Sequence, residues 1–160
     1  MATLAELSRR DRLFVIAYPW RRITPMPWSR PARPLSESRL ALISTGGMVM
    51  PDQEPFSQEL RGGDSSFRII PAGADPALLR LTHKSGAFER SGILADANLA
   101  FPLDRLRERV AEGTIGSLAP RHLSFMGSIT APKRLIRETA PAAAELLRAD
   151  GVEAALLVPV

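Results

Sequence analysis

Asp150-Gly-Val-Glu-Ala-Ala-Leu-Leu-Val-Pro-Val160 reads as a helix stop, a turn and then a short apolar strand. Gly151 suits a helix stop, and the run after it is long enough for one short apolar strand, with Leu156 and Leu157 expected on an edge. In α/β sheets, ligands sit in the crevice beyond the carboxyl ends of the strands. The end of this strand is therefore where a site is expected.

Working outward, residues 131–149 read as a helix with Pro132 near its start. Pro141 either kinks that helix or restarts it with Thr139 as cap. Ser38-Arg-Leu-Ala-Leu-Ile-Ser44 is a nearly continuous apolar run, as expected of a strand buried on both faces. Phe67-Arg-Ile-Ile70 and a short apolar segment within Ile115 to Phe125 are further strand candidates. The clearest helix opens at Phe101-Pro102-Leu103, with Leu103, Leu106 and Val110 on one face and Gly113 as its stop. Asp75-Pro76 is a helix start leading into Ala77–Leu81, and residues 3–12 can form a short helix. Residues 51–66 and 82–100 read as loops, the second long enough to be functional or mobile. The alternation predicts an α/β fold, a layered and largely parallel sheet with flanking helices, incomplete at the C-terminus.

Five prolines fall between Pro19 and Pro34, with Trp20 and Trp28 among them. Proline has no backbone donor, so this stretch is read as an extended strap pinned by its tryptophans, in preference to a free proline-rich ligand. Residues 1–37 are thus a basic, proline-rich arm, and residues 38–160 the beginning of a single α/β domain. Residues 1–40 hold eight arginines against Glu6, Asp11 and Glu37, a balance of +5, whereas the rest balances at −1. Such an arm admits nucleic acid or an acidic partner, but no stacking motif accompanies the arginines, which ranks nucleic acid low. No run approaches the roughly 20 apolar residues of a membrane span, and a cytoplasmic protein is expected. The sequence has no cysteine and only two histidines. Disulfides, a thiol nucleophile and three-histidine zinc are excluded within these residues.

The residues that can carry chemistry are scattered. Thr45-Gly46-Gly47 follows a strand, where free amides can face an anion, although a plain turn is the simpler reading. His83 lies in the long loop, either as a general base or proton donor or as an ordinary surface histidine. Arg121-His122 can bind a carboxylate or phosphate at a strand end, or His122 can be a core-edge residue. Asp64, Glu89 and Asp96 are loop carboxylates that no spacing pairs. Composition and spacing by themselves stop at an α/β domain.

Several stretches resemble the selenoprotein B family of glycine, sarcosine, betaine and D-proline reductases. They are Pro34-Leu-Ser-Glu-Ser-Arg-Leu-Ala-Leu-Ile-Ser-Thr-Gly-Gly47, Asp64-Ser-Ser-Phe-Arg-Ile-Ile-Pro71, His83 with Asp96-Ala-Asn98, and Phe101-Pro-Leu-Asp-Arg-Leu106. They continue with Gly113-Thr-Ile-Gly116, Ala119-Pro-Arg-His-Leu-Ser-Phe-Met-Gly127 and Glu138-Thr-Ala-Pro141, leading into the terminal strand. The Arg-His-Leu-Ser-Phe-Met-Gly block is the most specific. The resemblance implies an oxidoreductase subunit for reductive cleavage of a carbon–nitrogen bond in an amino acid or N-methylated derivative. It implies a selenolate or thiolate nucleophile following the strand that matches Val152–Pro159.

No such group is present, so the resemblance leads to the expectation that selenocysteine or cysteine comes just beyond Val160, the stop being a misread selenocysteine codon. On that expectation the 160-residue chain is inactive alone. The resemblance also implies partners: a second reductase subunit with a pyruvoyl group, and a small selenoprotein or thiol reductant. No metal is expected. Motif position makes His83 the candidate proton donor, and Thr45, Gly46, Gly47, Asp64, Arg68, Arg121 and His122 the candidate substrate-binding residues. The rival reading is a non-catalytic small-acid-binding or scaffold subunit.

Overall fold

The computed structural model describes residues 4–18, 22–85 and 90–160. The chain divides into two units, Met1–Arg30 and Pro31–Val160.

In the first unit, helix α1 spans Arg9–Ala17. It starts later than the predicted 3–12 because Ser8 supplies the cap, its hydroxyl accepting from the Asp11 amide at 3.1 Å. Leu13–Ala17 then extend the helix past the predicted end. Trp28 is 77% exposed, and Trp20 lies outside the described residues.

The second unit is built around β1 (Arg39–Ser44). Its side chains alternate between two apolar layers. Leu40 and Leu42 pack with Phe101, Leu103 and Leu106, the latter two on helix α3 (Leu103–Ala111). Ala41 packs with Leu123, Phe125, Ala143 and Leu147, the last two on helix α4 (Ala140–Ala149). Both faces of β1 are thereby covered, which is why its sequence is an apolar run.

The remaining strands are β2 (Met48–Val49), β3 (Phe67–Pro71), β4 (Arg80–Leu81), β5 (Ser117–Leu118), β6 (Arg121–Phe125) and β7 (Ala154–Val158). Leu40 pairs with Leu118 of β5 on one side and Ala154 of β7 on the other; Ile43 likewise lies between Leu123 of β6 and Leu157 of β7. All three pairings are parallel. β3 adds to β6 antiparallel, from Phe67 opposite Phe125 to Pro71 opposite Arg121. The sheet is thus mostly parallel with one antiparallel edge, and helices flank it, as the alternation of elements predicts.

Three local expectations are corrected. The predicted helix after Asp75 is a single 3₁₀ turn, Pro76–Leu78, capped by the Asp75 carboxylate. The chain then extends as β4, because Arg80 and Leu81 pair antiparallel with Val49 and Met48. The predicted loop 82–100 contains a short helix, α2 (Ser91–Ala95), and a 3₁₀ turn at Ala97–Leu99 that Asp96 caps. Glu89 lies outside the described residues. Pro141 does not restart its helix from a Thr139 cap: a π-helical turn, Leu135–Thr139, runs continuously into α4. The wider turn accommodates the missing N–H and the ring, and Thr139 is itself helical rather than a side-chain cap.

Gly116 fixes the start of the second unit. A Cβ there would sit 2.8 Å from the Glu37 carbonyl carbon and 2.9 Å from the Ser38 nitrogen and oxygen. Gly116→Ala is expected to cost about 3 kcal/mol, since backbone rather than a mobile side chain must yield. Urea unfolding checks this, and a loss below about 1 kcal/mol would show that the segment relaxes freely.

Candidate functional site

The carboxyl ends of β1, β6 and β7 meet at one point. The Thr45 amide donates to Val158 O at 3.0 Å, and the Gly127 amide donates to Thr45 O at 2.7 Å. The Val160 amide donates to the Thr45 hydroxyl at 2.9 Å. The Gly47 amide donates to Phe125 O at 2.8 Å, and the Gly46 amide to the Ser44 hydroxyl at 3.0 Å. These glycine amides are therefore engaged within the fold, and the anion-cradle reading of Gly46 and Gly47 loses its donors. The glycines serve close packing instead. Gly47 has φ of +66°, and a Cβ on it would lie 3.0 Å from the His83 backbone.

His83 is not a surface loop residue. It is 3% exposed and packs over Gly47 and Gly127. Its Nδ1 accepts from the Ser85 amide at 3.0 Å, and its carbonyl accepts from the Arg90 guanidinium at 2.6 Å. With Nδ1 occupied as an acceptor, the neutral ring carries its proton on Nε2. Burial, with the Arg90 charge, lowers its pKa below the ordinary imidazole value. His83 is accordingly a neutral Nε2–H donor at pH 7. Nε2 lies 2.8 Å from where a Gly127 Cβ would be, and Val160 O lies 3.1 Å from the same point.

Arg121 and His122 do not converge. Neighbouring strand residues point to opposite faces. Arg121 opens β6 at the amino edge, away from His83, and forms a fork with Asp150, Nε at 2.8 Å from one carboxylate oxygen. Hydrogen bonding from Arg121 holds the Asp150 carboxyl below the usual range. His122 points into the α3 layer, fully buried. Its Nδ1 accepts from the Leu42 amide at 3.1 Å, and Phe101 stands edge-on at 6.5 Å. Burial, reinforced by the Arg107 charge, lowers its pKa to about 4. A shared carboxylate clamp by these two residues is ruled out by their opposite directions.

Asp64 and Arg68 organise their own loop. Asp64 accepts from the Ser57 and Ser66 amides at 2.9 Å each and from the Ser66 hydroxyl at 2.6 Å. Burial opposes its ionisation, but the Ser66 and Ser57 hydrogen bonds and the Arg68 charge prevail and lower its pKa. Arg68 donates to Glu54 O at 2.8 Å and to Pro55 O at 3.2 Å, and its guanidinium lies 4.4 Å above the Phe56 ring.

Sequence reasoning missed an apolar cavity of about 640 Å³ on the α4 side of the sheet. Ile43, Phe125, Leu135, Ala143, Leu147 and Leu157 line it, and it extends to Thr45 and Gly127. Small residues on α4 leave this space, a signal that composition alone does not expose. Gly127 itself was legible only as the last residue of the Arg121–Gly127 block. No cluster of three metal-ligating side chains occurs among the described residues. No helix among them is long and apolar enough to cross a membrane.

The family described as glycine/sarcosine/betaine reductase selenoprotein B matches residues 6–160. D-proline reductase subunit gamma of Acetoanaerobium sticklandii is 35% identical over 136 residues, covering 84% of this chain and 54% of that protein. Sarcosine reductase complex component B subunit beta of Peptoclostridium acidaminophilum is 29% identical over 121 residues, covering 73% and 27%. Glycine reductase complex component B subunit gamma of Symbiobacterium thermophilum is 28% identical over 146 residues, covering 90% and 33%. The chain thus spans about half the length of the first relative and about a third or less of the other two. No solved structure matches at a significant level. Two independent lines, a match over nearly the whole sequence and a relative above 30% identity, place the chain in the glycine/sarcosine/betaine reductase selenoprotein B family.

Proposed function

We propose that this chain forms the substrate-pocket part of a reductase subunit for reductive carbon–nitrogen cleavage in an amino acid or N-methylated amino acid. One observation carries the reading: His83 and the end of β7 lie side by side at the carboxyl edge of the parallel strands. The sequence holds no cysteine. By family resemblance the nucleophile is a selenolate or thiolate, which we place beside Val160; such a group is ionised at neutral pH without an adjacent base and supplies the attack on carbon. The surroundings of Val160 suit such a group, because the Thr45 hydroxyl fixes the backbone there and the His83 N–H lies alongside.

His83 acts as a hydrogen-bond donor toward a substrate carboxylate or departing nitrogen. A neutral ring with Nδ1 occupied is poorly suited to releasing a full proton at pH 7. The apolar cavity accommodates the carbon skeleton. By family resemblance, the electrons and the carbonyl chemistry come from partners: a small selenoprotein or thiol reductant, and a second reductase subunit with a pyruvoyl group. Such an assembly is cytoplasmic.

The test is dithiol-driven turnover of glycine, sarcosine, betaine and D-proline by the reconstituted complex. His83→Gln is expected to lower kcat by about 100-fold, the scale for losing an aligned donor. Unchanged turnover removes His83 from the mechanism. The absence of cysteine favours a second reading, a non-catalytic subunit that binds a small acid. Binding of one of these acids by the complex without turnover decides for it.

A further inference from the structure

We infer that Thr45 and Gly127 are positioning residues: together they fix the end of β7 against the Nε2 edge of the His83 imidazole. The inference rests on the reductase reading for its purpose, though its geometry stands independently.

Thr45 joins all three segments at the carboxyl edge. Its amide donates to Val158 O at 3.0 Å, its carbonyl accepts from the Gly127 amide at 2.7 Å, and its hydroxyl accepts from the Val160 amide at 2.9 Å. The backbone bonds survive a side-chain substitution such as Thr45→Val. The hydroxyl bond does not, and it is the one that sets the direction of the chain at Val160.

Gly127 has a different role. Its backbone lies outside the left-handed region, so conformation alone does not demand glycine. Space does. A Cβ would be 2.8 Å from His83 Nε2, 3.1 Å from Val160 O and 3.3 Å from Thr45 O. The missing side chain lets the imidazole edge and the Val160 carbonyl reach the same small volume. Because Nε2 carries the proton, the group recognised there is an acceptor, such as a carboxylate oxygen or an amine lone pair.

The sequence contains only two histidines, so a 15N-histidine spectrum of this chain resolves His83 beside His122 as an internal control. Gly127→Ala is expected to displace the His83 ring. Its nitrogen shifts change and its titration midpoint rises toward the ordinary value as it leaves its place beside Arg90, while His122 stays neutral down to about pH 4. Unchanged His83 signals overturn the role of Gly127. Thr45→Val keeps the shape and removes the acceptor. It is expected to speed exchange of the Val160 amide by about tenfold with His122 unaltered, and unchanged exchange overturns the role of Thr45. If Gly127→Ala loses the His122 signature, the fold has failed, and the wild-type chain then decides for Gly127: a nuclear Overhauser contact between the Gly127 Hα protons and the His83 ring is expected, and its absence overturns that role. In the reconstituted reductase both variants are expected to lower kcat by about tenfold with little change in KM. A wild-type complex without turnover sinks the reductase reading and leaves the ring and exchange measurements standing.

Discussion

Acidification from pH 7 to pH 4 is expected to remove about 3 kcal/mol of folding stability through His122. In the folded chain its pKa is lowered to about 4, against 6.5 as the ordinary value. The unfolded chain therefore takes up a proton between those values while the folded chain does not. Stability is complete above pH 6.5, falls as pH drops, and levels off below about 4. The physical origin is a ring buried away from bulk solvent, fixed by the Leu42 amide at Nδ1, with no hydrogen-bond partner for Nε2 among the described residues. His83 adds to the loss in the same direction, its pKa being lowered too. The carboxyls of Asp64 and Asp150, held below the usual range, act only at lower pH. His122→Asn retains an acceptor for the Leu42 amide and cannot titrate. It should be less stable at pH 7 yet lose most of the dependence between pH 6.5 and 4. Urea midpoints across that range measure it, and an equally steep decline in His122→Asn would mean that the sensitivity arises elsewhere.

Phe101→Ala is expected to be the most damaging single truncation, at about 4 kcal/mol. The ring is fully buried in the layer shared by β1 and α3, and it stands edge-on to His122. Its removal leaves a void beside the buried imidazole of His122. Water entering that void would hydrate His122 and raise its pKa. The variant should therefore be weaker at neutral pH but lose less on acidification than the wild-type chain. Phe101→Leu, which nearly conserves volume, should cost about 1.5 kcal/mol or less and preserve the acid response. Unfolding curves at two pH values separate these outcomes. Equal acid sensitivity in wild type and Phe101→Ala would show that the ring does not shield His122.

Much of the fold was legible because its central strand is buried on both faces. Covering β1 on two sides demanded the run Leu40–Ile43, and that demand is visible without a structure. Gly113 and Gly151, both at positive φ, ended their helices as read. Two-residue strands were not legible, since β2 and β4 exist only through each other. The site was less readable than the fold. The burial of His83 depends on the missing side chains of Gly47 and Gly127, distant in sequence and silent in any local pattern. Arg121 reads as a ligand-binding guanidinium until its carboxylate is found 29 residues away. Asp64 precedes β3 and Arg68 lies within it rather than flanking it, and the partners of both are in the loop before that strand.

The Arg121–Asp150 fork also divides the second unit into two ends with different tolerances. At the amino edge, Arg39 reaches the Asp150 carbonyl at 2.6 Å and Arg33 pairs with Glu153 at 2.7 Å, so the entry to β7 is tied down by guanidinium groups. The carboxyl edge contributes a histidine, a hydroxyl and glycines instead. On the proposed function, robustness and recognition are thus encoded in separate sets of positions, joined through the strands between them. If the proposed function holds, a library varying the rim around Thr45 and Gly127 changes what is recognised while the arginine contacts at the other end are left intact. Selection on those contacts can adjust heat tolerance without rewriting the rim.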